Sequence, residues 1–236
     1  MIIEARYNGP PGSGNGGWSA GVFATAVAGA APADARSAVG AAGAVEVTLR
    51  RPPPLAVPLR AVPSADQPGR HEIHDPDGTL VAQVAPVAEF TPTVPAVDLA
   101  TARAASADYP GFTGHPFPGC YVCGPEHADG LRIFPGRLPD GRTAAPFRVP
   151  AEVRPETVWA ALDCPGGWAV IAPGRPYVLG RIAVRVAALP RPGDECVVTG
   201  AATGGEGRKA LVHSSLYAPD GTLLAHARAT WIAVVT

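Results

Sequence analysis

The 236-residue chain has no charge excess: 19 Lys and Arg stand against 20 Asp and Glu, a formal net charge of −1. That balance leaves no basic footprint for a nucleic-acid backbone. Long apolar runs are also missing, and no stretch reaches the roughly 18 residues of a membrane-crossing helix. The opening MIIEARYNGPPG has neither the basic start nor the apolar run of a secretory signal. Cysteines are few: Cys120, Cys123, Cys164 and Cys196. Without a secretion signal they are expected as reduced thiols. These absences together predict a soluble, cytoplasmic protein with no nucleic-acid or membrane partner.

Apolar residues make up 47% of the chain, enough to build a core in one large domain or two small ones. The 28 Gly and 28 Pro fall mostly between apolar runs, so they punctuate a turn-rich fold. The chain also repeats itself. Pro76-Asp77-Gly78-Thr79-Leu80-Val81-Ala82 returns at Pro219-Asp220-Gly221-Thr222-Leu223-Leu224-Ala225, an offset of 143 residues. Asp-Gly between apolar strands is a hairpin signal, because the turn needs positive φ. Each copy follows an alternating apolar run, at 43–52 and 180–190, and a second strand, at 57–62 and 194–200. Each is also preceded by a helical candidate, Gly16–Ala30 and Arg154–Asp163. The first of these is apolar all round, as a buried helix is. The second has Pro155 and Glu156 in its first turn, and Pro165-Gly166-Gly167 is expected to interrupt or kink it.

One helix followed by antiparallel strands, twice over, does not suit alternating βαβ units. It predicts an α+β fold in which each half wraps a sheet around one hydrophobic helix. Residues 86–118, rich in Pro, read as a linker with a short helix near Val97–Ala107. The division expected is 1–105, an N-terminal domain with linker, and 106–236, a C-terminal domain.

This arrangement resembles the hotdog fold in its tandem, double form. Gly119-Cys120-Tyr121-Val122-Cys123-Gly124-Pro125, with Gly130-Leu131-Arg132-Ile133 after it, resembles the "CFVCG…GL" opening of many small hotdog thioesterases. Asn15-Gly16-Gly17 looks like their His-Gly-Gly loop, and Leu162-Asp163 like the "LLD" that carries their catalytic acid. In those relatives the acid lies eight residues after the first Gly. Gly16 is followed at that distance by Ala24, and Asp163 is preceded at that distance by Pro155. Each half therefore keeps what the other has lost. In the homodimeric relatives the Gly amide and the acid of one site come from opposite subunits. The resemblance thus implies one composite site, with Gly16 and Asp163 facing each other across the seam between the halves.

The chemistry implied is hydrolysis of an acyl-CoA or acyl-carrier thioester. Gly16 and Gly17 would offer unpaired N–H groups at a helix N-terminus to the developing oxyanion. Asn15 would add a side-chain N–H to the site or hold the loop, or simply cap the helix. Asp163 would act as general base or as nucleophile. Trp18 and Trp159 are candidates for lining the acyl site, with Trp168 and Trp231. Arg154 and Arg181, with Arg175, Arg208 and Lys209, are candidates for the CoA phosphates. No metal or separate cofactor is expected, CoA entering only as part of the substrate. Hotdog relatives often pair further, which points to a homodimer of double hotdogs.

Cys120-X2-Cys123 flanked by His115 and His127 has zinc-like spacing, but a second pair is missing and the thioesterase opening accounts for the motif. Cys164 reads as a packed thiol. Gly17-Trp18-Ser19-Ala20-Gly21 fits a nucleophile elbow but follows no strand. Gly12-x-Gly14-x-x-Gly17 fits a dinucleotide loop but lies outside any βαβ unit. Two other functions stay open: a non-catalytic acyl-CoA or acyl-chain binding protein, and a hydratase or dehydratase. The latter resemble an Asp-x4-His pattern, whereas Trp168 stands five residues after Asp163.

Overall fold

A computed structural model describes residues 1–30, 43–92 and 94–234. After a 3₁₀ turn at Ala5–Tyr7 come α1 (Gly16–Ala30), β1 (Ala44–Leu49), β2 (Arg60–Pro63), β3 (His71–His74) and β4 (Leu80–Val87). Two helices follow, α2 (Leu99–Ala107) and the single-turn α3 (Gly111–Gly114). The second half holds β5 (Gly136–Arg137), β6 (Thr143–Arg148), α4 (Pro155–Trp168), β7 (Tyr177–Val186), β8 (Glu195–Glu206), β9 (Lys209–Tyr217) and β10 (Leu223–Ala233).

The two Pro-Asp-Gly-Thr copies make the same hairpin turn. Gly78 and Gly221 have φ of 81° and 84°, a region that Gly enters without a Cβ penalty. The Gly78 N–H donates to the Asp75 carbonyl, and the Gly221 N–H to the Ala218 carbonyl, again 143 residues on. Thus β4 folds back beside β3, and β10 beside β9, while β1 and β7 pair with their other edges.

The two sheets expected from sequence are joined into one. β1 pairs antiparallel with β7, Val47 opposite Ile182, giving a ten-stranded sheet in the order β2-β3-β4-β1-β7-β10-β9-β8-β6-β5. Arg181 stitches this seam on the outer side, its Nε 3.0 Å from Thr48 Oγ1 and 3.6 Å from Glu46 Oε1. The strands β5 and β6, ahead of α4, carry no alternating pattern, and Pro146 hides β6. It is tolerated because β5 covers only the first two residues of β6, so the missing N–H falls on an otherwise open edge. α2 starts at Asp98, whose carboxylate accepts the Thr101 N–H. It packs on β5, β6 and β8, and so spans position 105 while lying on the strands of the second half.

α1 and α4 cross in contact on one side of the sheet. Gly17 and Gly21, one turn apart, set how closely. A Cβ at Gly17 would lie 2.5 Å from Asp163 Cβ and 2.7 Å from the Trp159 carbonyl oxygen. A Cβ at Gly21 would lie 2.8 Å from Glu156 Cα.

α4 does not stop at Pro165. It continues to Trp168, buried from Glu156 onward. Proline removes a helical N–H and crowds the preceding turn, at a cost of ~3 kcal/mol in an ordinary helix. The sheet holds the carbonyls on either side of this gap: the Ser214 hydroxyl donates to the Leu162 carbonyl, and the Thr143 hydroxyl to the Pro165 carbonyl at 2.6 Å. Gly166 and Gly167 then let the last turn lie flat on β9 and β10, where a Cβ would meet Val212 at 2.7 Å and the Trp231 ring at 2.5 Å. Asp163 consequently sits in the interior of α4 rather than at its C-terminus, so it does not oppose the helix dipole there.

Candidate active site

Asn15 holds the entry to α1. Its side-chain Oδ1 accepts the Trp18 N–H at 2.9 Å, an N-cap. Because Oδ1 is thereby fixed as acceptor, Nδ2 is fixed as donor, and it points at Asp163 Oδ2 at 3.1 Å. The Gly17 N–H donates to the same oxygen at 2.9 Å. α1 and α4, from opposite halves of the chain, therefore meet at one carboxylate. Asp163 is 2% exposed, and its second oxygen, Oδ1, is buried with no partner. Burial lifts the Asp163 carboxyl to about 7, a rise that nearby Cys120 reinforces and that the Gly17 and Asn15 donors oppose.

A cavity of about 40 Å³ opens beside this carboxylate. Asn15, Gly16, Cys120, Asp163, Leu179 and Trp231 are among its walls. The Gly16 N–H, at the first position of α1, has no acceptor among the described residues. A larger cavity of about 260 Å³ shares Pro10, Gly16, Val178 and Leu179 with the first and reaches Arg50 and Arg51. Leu179 is the partition: a Cβ at Gly16 would lie 2.8 Å from Leu179 Cβ.

Of the residues singled out from sequence, Asn15, Gly16, Gly17 and Asp163 are brought together. Their geometry differs from the expectation in one respect. Gly17 gives its N–H to Asp163, so only the Gly16 N–H is open to a ligand. Trp18, Trp159, Arg154 and Arg181 line neither cavity. Trp18 stacks on Tyr7, centroids 3.7 Å apart, and meets Tyr121 edge-on. Arg154 covers the Trp18 ring at 5.3 Å and donates to the Tyr7 hydroxyl at 3.2 Å. This stack ties the chain start, α1, α4 and the Cys120–Cys123 loop together. Trp159 fills the crossing of α1 and α4, and Arg181 lies on the outer seam. Arg175 lies over the Tyr177 ring, and Arg208 and Lys209 are exposed at the β8–β9 turn. None of the three reaches the two cavities. Trp168 and Trp231, in contrast, do line the small cavity.

Sequence reasoning missed Arg50 and Arg51, an unremarkable basic pair at a strand end. It also missed that Cys120 and Cys164 flank the carboxylate, although the motif residue Cys120 had already been noted.

Two hydrophobic helices against one curved antiparallel sheet define the hotdog fold in its double form. A hotdog-fold protein of unknown function from Alicyclobacillus acidocaldarius matches all of this chain and 92% of its own, with a TM-score of 0.61 at 17% identity. A candidate thioesterase from Novosphingobium aromaticivorans matches 100% and 94%, with a TM-score of 0.57 at 16% identity. The tesB protein of Mycobacterium avium subs. paratuberculosis matches 96% and 90%, with a TM-score of 0.58 at 12% identity. No family model matches the chain, and no curated protein matches it. No helix among the described residues is long and apolar enough to cross a membrane.

Proposed function

We propose that the protein hydrolyses an acyl thioester, in the form of an acyl-CoA, at the composite site between α1 and α4. One observation carries this reading: an unpartnered carboxylate oxygen of Asp163 and an unpartnered N–H of Gly16 border the same cavity, one from each half. Thioester hydrolysis needs this pair. The carbonyl oxygen takes the Gly16 N–H at the positive end of α1, where the developing negative charge is favoured. Asp163 Oδ1 takes a proton from water as the water oxygen bonds to the carbonyl carbon. The C–S bond then breaks, and the products are a carboxylic acid and a thiol. Asn15 and Gly17 hold Oδ2, so that Oδ1 keeps its aim. A carboxyl near 7 matches the needs of a base at neutral pH.

The route in runs through the larger cavity past Leu179. Its mouth at Arg50 and Arg51 suits the phosphates of CoA, with Arg50 already braced by two bonds to Gln83 Oε1 at 3.0 and 2.6 Å. Purified protein incubated with acyl-CoAs of graded chain length should release free thiol, read with a thiol reagent, and Asp163→Asn should abolish the release. Saturable acyl-CoA binding without turnover would replace this reading with that of a binding module.

A further inference from the structure

The geometry points to a metal site built from three cysteines, Cys120, Cys123 and Cys164, for a thiophilic d¹⁰ cation such as Zn²⁺. The site adjoins the Asp163 carboxylate in the small cavity, but its metal-binding readout does not rest on thioester hydrolysis. The three Sγ atoms lie within 4.8 Å of one another, and all three residues are buried. Four-coordinate zinc with Zn–S bonds near 2.3 Å places sulfurs ~3.8 Å apart, so closing on the ion takes shifts of well under an ångström per sulfur. All three cysteines also wall the small cavity, whose 40 Å³ suits one ion with a water or two.

The second observation is what surrounds the sulfurs. Three N–H donors converge on two of them, Cys120 and Cys123. Trp168 Nε1 donates to Cys123 Sγ at 3.5 Å, Asn15 Nδ2 lies 3.7 Å from Cys120 Sγ, and His115 Nε2 lies 3.2 Å from Cys123 Sγ. His115 looks at first like a fourth ligand. Its Nδ1, however, accepts the Phe117 N–H at 2.8 Å, so the neutral ring carries its proton on Nε2 and donates to sulfur. A neutral thiol is a weak acceptor, and three donors aimed at sulfur fit thiolates better. Thiolates packed this closely repel one another unless a cation lies between them. Such N–H donors are the outer shell that a thiolate-bound metal calls for. His127 plays no part: its Nε2 bonds to the Arg6 carbonyl at 2.7 Å.

The sequence pattern has a consistent local form. In Cys120-Tyr121-Val122-Cys123-Gly124 the Gly124 N–H donates to the Cys120 carbonyl at 2.8 Å, closing a tight turn that turns both sulfurs to one side. The third sulfur comes from α4, next in sequence to Asp163. The ion would therefore clip the 119–124 loop to α4, leaving its fourth position to a small ligand in the cavity.

The full-length protein, loaded with one equivalent of Zn²⁺ and desalted, should retain one zinc per chain, and its X-ray absorption should show three sulfurs at ~2.3 Å. Cobalt(II) in place of zinc should give sulfur-to-metal charge-transfer bands. Cys164→Ser should lose both signals, whereas Cys196→Ser, which alters the cysteine on β8 outside the cluster, should keep them. The X-ray measurement uses unaltered protein, so it stands even if Cys164→Ser does not fold. Folded wild-type protein that retains no zinc after desalting overturns the proposal, as does zinc retained undiminished by folded Cys164→Ser. A Cys120–Cys123 disulfide formed in the presence of zinc also overturns it.

Discussion

At its first helical position α1 carries Gly16 and α4 carries Pro155; eight residues on, α1 carries Ala24 and α4 carries Asp163. The two helices each precede the strands of their half, and they differ in opposite ways. Gly16 presents a backbone N–H, and Pro155 has none to present. Asp163 presents a carboxylate, and Ala24 presents nothing. One helix-to-helix contact is therefore chemically equipped, at the α1 start, while its counterpart at the α4 start is closed by Pro155 and packed by Arg154 over Trp18.

The deepest break in this comparison is Asp163→Asn. It should lower thioester turnover by about 10²–10⁴-fold, the usual worth of a positioned base. The same substitution should raise stability above neutral pH. Folded Asp163 keeps its proton up to about 7, whereas the unfolded chain releases it near the ordinary 3.8, so stability falls as pH rises between those values. At 1.36 kcal/mol per unit the loss approaches ~4 kcal/mol. Denaturant midpoints of the two proteins should thus move apart in favour of Asn from pH 4 to pH 8. For the wild type, turnover should climb with pH through about 7, as the base form appears.

Next comes Gly17→Ala. Its methyl meets Asp163 Cβ at 2.5 Å and the Trp159 carbonyl at 2.7 Å, so α1 and α4 must part. A loss of ~1–3 kcal/mol is expected from denaturant unfolding, with reduced turnover as the bond to Asp163 lengthens. Asn15→Asp keeps the cap on Trp18 but buries a second carboxyl against Asp163, so denaturant midpoints should fall as pH rises. It replaces the donor to Asp163 with a second acid, so the pH midpoint of turnover should move upward. Ala24→Asp should add no turnover in a steady-state assay, since Pro155 at the start of α4 has no N–H to offer.

Much of the central arrangement was legible because it rests on local chemistry. Gly78 and Gly221 need positive φ, and the spacing from Gly16 to Ala24 and from Pro155 to Asp163 can be counted. What was not legible was settled by partners far along the chain. Pro165 reads as an interruption or kink of the helix, and the hydroxyls of Ser214 and Thr143 that hold the turn around it come from distant strands. Trp18 and Arg154 read as substrate contacts because their polar and aromatic character says nothing about Tyr7 and Tyr121 being the surfaces they meet. Cys123 and Cys164 read as unrelated thiols until α4 is laid beside the 119–124 loop. Pro146 concealed β6 because a proline is judged by which strand edge it faces, and the edge is a property of the sheet.

The β1–β7 ladder carries one more consequence. In a pair of separate subunits, a cleft shared between two helices exists only above the concentration at which the subunits associate. Here both contributors to the cleft are tethered, and the local concentration of each for the other is fixed by covalent connection. The cleft between α1 and α4 should thus be as complete in a nanomolar solution as in a millimolar one.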